Sequence, residues 1–145
     1  MEDIEMTSFP VPGGCVCGSV RYTVSGAADF VVHCHSSLCR RTYAGLVATG
    51  ASIEKKHLKI DKGENNLSTY PTPPNGRRQF CRTCGCSLFY YLDDTPEIMY
   101  YYPATLDGGV HPGHPDEEEY HAHVGSKANW ENFDDDLPKF TEGKI

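Results

Sequence analysis

The chain has no apolar run approaching the roughly 20 residues that a membrane-spanning helix requires, so no membrane partner is expected. Its first dozen residues carry acids and two prolines but not the basic head and apolar stretch of a secretory leader, which makes a cytoplasmic location the expectation. Positive charge is scarce: 13 Lys and Arg face 20 Asp and Glu, a formal net charge of −7. An acidic surface repels phosphate, which argues against nucleic acid as a partner and leaves a small molecule as the expected one. There is no glycine loop of the phosphate-cradling kind, no nucleophile-elbow serine motif, no internal repeat and no amphipathic run of three helical turns. Tryptophan occurs once, at position 130.

Cysteine, by contrast, is plentiful. Seven thiols, an odd number, in a chain without an apparent export signal suit metal ligation better than a disulfide framework. Cys15-Val16-Cys17-Gly18 and Cys81-Arg82-Thr83-Cys84-Gly85 are two close pairs, each beside glycine, which lets the backbone turn sharply enough for neighbouring sulfurs to converge. Four thiolates are the ligand set of a closed tetrahedral zinc site. Because the pairs are about sixty residues apart, a shared ion would close a very long loop. The alternative is two unrelated pairs or buried free thiols.

The remaining sequence reads as short strands, at 19–24, 29–33, 46–51, 58–60, 67–70, 77–80 and 120–124. A hairpin is expected from 87–92 and 98–102 around Asp93-Asp94-Thr95-Pro96, and 38–44 is the one candidate helix. Residues 70–76, with three prolines, read as a turn. The expected organisation is a flexible arm at 1–12, one zinc domain at 13–130 and a loose acidic tail at 131–145.

A second patch, His33-Cys34-His35-Ser36-Ser37-Leu38-Cys39-Arg40-Arg41, is also rich in ligand chemistry. On a strand, His33 and His35 project to the face opposite Cys34, so one side of the patch at most can ligate. The alternative is a buried Cys34 flanked by surface histidines.

Three motifs occur in order: Gly-Gly-Cys-x-Cys-Gly-x-Val-Arg-Tyr at 13–22, Cys-His-x-Ser-x-Cys-Arg-Arg at 34–41 and Phe-Cys-x-x-Cys-Gly-x-x-Leu-Phe at 80–89. With the ending from His121 through Trp130 to Leu137-Pro138-Lys139-Phe140, they resemble the glutathione-dependent formaldehyde-activating enzyme and centromere protein V family. That resemblance implies a mainly β, zinc-containing β-tent fold shared with a Rab exchange-factor-like superfamily, built of short strands in small antiparallel sheets with little helix. It implies a structural zinc at Cys15, Cys17, Cys81 and Cys84, and a second, catalytic zinc at the positions of Cys34, Ser36 and Cys39. Ser36 departs from the pattern, which has cysteine there; a hydroxyl is a poor replacement for thiolate, so affinity should fall. Cys86, where the pattern has a small non-ligand, is a candidate replacement, against the plainer reading of a buried thiol.

The family's reaction implies glutathione as co-substrate and a carbon–sulfur lyase-like activity. Cys34 and Cys39 would flank the open position, His35 would shuttle protons, and Arg40 and Arg41 would clasp the glutathione carboxylates. Tyr90, Tyr91, Tyr100, Tyr101 and Tyr102 should divide between core and groove, with core packing favoured. His121 and His123 should share a strand face, the loop of His111 and His114 should be a solvated excursion, and Trp130 should anchor packing. The rival readings are a zinc-stapled binding module with a degenerate second site, or a same-fold isomerase or lyase of specialised metabolism.

Overall fold

In a computed structural model, residues 6–144 are described and form ten short strands and one helix. β1 (Val11–Gly14), β2 (Arg21–Val24) and β5 (Leu58–Lys62) make a three-stranded sheet in the order β1-β2-β5. The second sheet contains β3 (Phe30–Cys34), β4 (Ala48–Glu54), β6 (Leu67–Thr72), β7 (Gly76–Cys81), β8 (Ser87–Leu92), β9 (Ile98–Tyr101) and β10 (Glu119–Ala122). Its order is β10-β3-β4-β9-β8-β7-β6. α1 (Ser37–Tyr43) connects β3 to β4. The mainly β, helix-poor expectation holds, with one departure from antiparallel pairing: β10 lies parallel to β3, with His121 opposite His33.

The core lies between the sheets and is aromatic. Tyr22 of β2 meets the edges of Phe89 of β8 and Tyr101 of β9 at centroid separations of 5.1 and 6.2 Å. All three are fully buried, beside Val20, Val24, Ile53 and Leu88. The Tyr22 hydroxyl bonds Thr105 Oγ1 at 2.6 Å, so its polar end is satisfied inside the apolar layer. Strand alternation then fixes the opposite face of the large sheet: Val32, Cys34, Gly50, Arg78, Tyr90 and Tyr100 point away from this core toward α1.

Several boundaries differ from expectation. Residues 11 and 12, expected to close a free arm, instead open the edge strand β1, where Pro12 is tolerated because an edge leaves one side of the backbone unpaired. Pro71 lies inside β6 for the same reason, so the turn shrinks to the residues between Thr72 and Gly76. The last segment is not loose either. The Phe140 amide donates to the His121 carbonyl at 2.9 Å, the His121 amide to the Pro138 carbonyl at 2.9 Å, and the His123 amide to the Glu142 carbonyl at 2.8 Å. Phe140 sets its ring edge against Tyr120. Trp130, expected as an anchor, is 70% exposed.

Candidate metal centre and catalytic cavity

Cys15 and Cys17 follow β1, while Cys81 ends β7 and Cys84 lies in the turn before β8. Gly18 and Gly85 take positive φ of 78°, the left-handed step that closes each turn. The Gly18 amide bonds the Cys15 carbonyl at 3.2 Å and the Gly85 amide the Cys81 carbonyl at 2.8 Å. The four Sγ atoms lie within 4.8 Å of one another, the one such convergence of His, Cys, Asp or Glu ligand atoms among the described residues. Cys15–Cys17 and Cys17–Cys81 separations are 3.6 and 3.7 Å. Tetrahedral zinc, with bonds of about 2.3 Å, sets its sulfurs about 3.8 Å apart. The donor set therefore fits such an ion.

Sequence reading missed the support around this cage. Ser19 Oγ lies 3.1 Å from Cys17 Sγ and 3.2 Å from Cys81 Sγ, and it accepts from Asn66 Nδ2 at 2.9 Å. The Val20 amide donates to Cys15 Sγ at 3.3 Å. Ser19 is the main cause that holds the Cys81 thiol down at about 5, in thiolate form. Cys-x-Cys-Gly-Ser was the available signal for Ser19; Asn66, 47 residues away, had none.

On the outer face of the large sheet, α1 roofs a cavity of about 360 Å³. Cys34, Ser36 and Cys39 stand at one side; Tyr43, Tyr90, Tyr100 and Tyr102, Arg78 and His123 line the rest. Ser36 caps α1, its hydroxyl accepting from the Cys39 amide at 3.1 Å and lying 3.4 Å from Cys34 Sγ. The Cys39 thiol donates toward Cys34, the largest cause of a Cys34 pKa held at about 5 against the opposing cost of burial; Ser36 and His123 add to it. Cys39 is correspondingly pushed up and stays a thiol. Burial also raises Tyr43 and Tyr102, whose hydroxyls bond each other, so both remain proton donors at neutral pH.

This donor set does not fit a second zinc: it offers two thiols and a hydroxyl already committed to the helix cap. Cys86 does not complete it. Its side chain packs against the core on the Cys15 side, bonds the Ser87 carbonyl at 3.6 Å, and lies outside the cavity lining.

His35 is not at this site. As strand geometry required, it projects opposite Cys34 and is fully buried, with Nε2 2.7 Å from His121 Nδ1. His121 Nε2 continues to Asp135 at 2.8 Å, and Phe133 stacks on His121 at 4.5 Å. His33 bonds Thr49 and Glu119, each at 2.8 Å, and Glu119 also holds buried His114 at 2.7 Å, so the His111–His114 loop is partly structural. His121 and His123 do not share a face, because His123 adopts left-handed φ of 57° just past β10 and turns to the cavity. Arg40 and Arg41 also miss the cavity: they face a separate groove beyond α1, and Arg78 supplies the cavity's guanidinium instead. Tyr101 is core and Tyr91 packs against it, whereas Tyr90, Tyr100 and Tyr102 line the cavity, the division that strand alternation led one to expect.

The family model described as glutathione-dependent formaldehyde-activating enzyme matches residues 10–124. A Rhodobacter sphaeroides protein of known crystal structure is 32% identical, with 70% of this chain and 91% of that chain covered and a TM-score of 0.57.

Proposed function

Because the chain belongs to the glutathione-dependent formaldehyde-activating enzyme family, we propose that it makes and breaks the carbon–sulfur bond between a small thiol, glutathione first among them, and a small aldehyde. One observation carries this reading: Cys34, beside Ser36 and Cys39, opens onto a tyrosine-lined cavity of about 360 Å³.

Cys34 Sγ takes the proton of the incoming thiol. The freed sulfur attacks the aldehyde carbon, the carbonyl electron pair moves to oxygen, and the proton carried by Cys34 passes to that oxygen. Thiol and aldehyde become one hydroxyalkyl thioether, and Cys34 ends as it began. One hydroxyl of the Tyr43–Tyr102 pair donates to the developing oxyanion while the other donates to that hydroxyl in turn, and burial strengthens the bond. Arg78 holds an anionic end of the thiol substrate. Zinc belongs to the Cys15, Cys17, Cys81 and Cys84 cage, where a four-thiolate ion is closed and structural. Cys39 and Ser36 orient and charge Cys34; His35 and Arg40 take no part.

Exchange NMR on zinc-loaded protein with glutathione and labelled formaldehyde tests this. Exchange between free and hydroxymethylated thiol should be faster than in buffer, and Cys34→Ala should remove about 10²–10⁴-fold of that gain. Wild-type exchange at the buffer rate, with zinc retained, would instead support the binding-module reading.

A further inference from the structure

Beyond the cavity, α1 presents a second concavity that the proposed reaction does not use. Arg40, Arg41 and Ala44 from the helix end, Gly45 and Leu46 after it, and Ala128 and Trp130 from the segment past β10 enclose about 360 Å³ of open groove. In a chain with a net charge of −7, acidic partners for arginine are abundant. Arg21 pairs with Asp107 and Arg77 with Asp93, but among the described residues neither Arg40 nor Arg41 meets a carboxylate. Arg40 Nε is moreover buried and has no hydrogen-bond partner, a donor that a folded protein seldom leaves unmet. Across the groove, the only tryptophan of the chain is 70% exposed. Small residues at 44, 45 and 128 and the apolar Leu46 complete the lining.

We infer that this groove binds a planar aromatic anion, with its carboxylate or phosphate held by the Arg40 and Arg41 forks and its ring stacked on Trp130. Two guanidinium groups match a planar or tetrahedral oxyanion through parallel N–H donors. An exposed indole is a stacking platform that tolerates many rings. The same chemistry is offered by an aryl carboxylate and by a mononucleotide. Glutathione has no ring to stack, which separates this site from the reaction proposed for the cavity.

The single tryptophan gives a direct readout: one indole N–H resonance in the zinc-loaded chain. It is followed during titration with 4-hydroxybenzoate, adenosine monophosphate, adenosine, inorganic phosphate and glutathione. Saturable shifts of the Trp130 signal with either aromatic anion, and affinity weaker by about tenfold or more for adenosine and for phosphate, are expected. The benzoate and nucleotide arms identify which oxyanion is preferred. Arg41→Gln, at an exposed position, should weaken binding about tenfold at unchanged zinc content, and Arg40→Gln should do at least as much. Saturation by none of the probes would overturn the inference. So would equal affinity for adenosine and its monophosphate, tighter binding of glutathione than of either aromatic anion, or an Arg41→Gln chain that binds as well as wild type. None of these results depends on carbon–sulfur exchange in the cavity.

Discussion

At the scale of single residues, the two cysteine sites are separated by what a neighbouring hydroxyl does. Ser19 reaches two sulfurs of the four-thiolate cage and is the main cause of the lowered Cys81 thiol, whereas Ser36 is engaged in capping a helix. Ser19→Ala should therefore lower zinc affinity about 10–100-fold, the usual cost of losing a supporting hydrogen bond at a metal site, measured by chelator competition. In the proposed reaction Cys34 acts as the thiolate, with its pKa held at about 5 mainly by Cys39. The rate should then be flat across neutral pH and fall as pH drops through about 5, since protonation removes the base. A profile that instead rose only toward the ordinary thiol range, near 9.0, would mean that Cys39 and Ser36 do not hold Cys34 ionised.

Among elements, the informative case is the strap formed by the residues after Trp130. It is clasped to β10 by main-chain bonds and by the His35–His121–Asp135 chain. Burial, and then the nearness of His121, lower the pKa of His35 below its usual 6.5. Burial opposes ionisation of Asp135, but bonds from His121 and Lys139 prevail and hold it at about 2. Both groups have depressed folded-state values. The His35 contribution is complete above about 6.5 and is lost as pH falls below it; that of Asp135 is complete above its ordinary 3.8 and is lost toward about 2. Protection factors of the Phe140, His121 and His123 amides should fall on acidification through 6.5, and a His35→Phe variant should lack that first step. The attachment was hard to read because it depends on main-chain bonds, to which sequence pattern is nearly blind. Acidic residues at 131, 134, 135 and 136 read as a solvated tail. β1 was obscured similarly, by prolines that an edge strand accommodates. The strands with clear alternation, such as β8 and β9, were legible because each buries one face.

Over the whole molecule, the cage fastens the small sheet to the large one across 64 residues of chain between Cys17 and Cys81. Structural zinc contributes about 10–16 kcal/mol of apparent binding free energy, comparable to the entire margin of about 5–15 kcal/mol of an ordinary domain. Stripping the ion with a strong chelator, or a Cys81→Ser substitution, should therefore unfold both sheets in one transition, seen as joint loss of far- and near-ultraviolet circular dichroism. The four ligands were legible because two tight glycine turns announce themselves locally. The cavity was only half legible: Cys34 and Cys39 stand out in sequence, but Arg78, Tyr43 and His123 reach them through sheet order and one left-handed residue.

The parallel seam between β3 and β10 bears on biosynthesis. The side of β3 that carries Cys34 stays bare until residues 119–122 have left the ribosome, more than eighty positions later. Until then the nascent chain presents an unprotected strand edge, and contacts so distant in sequence close slowly. Chaperone dependence during translation, and aggregation of chains halted before position 119, follow from that one pairing.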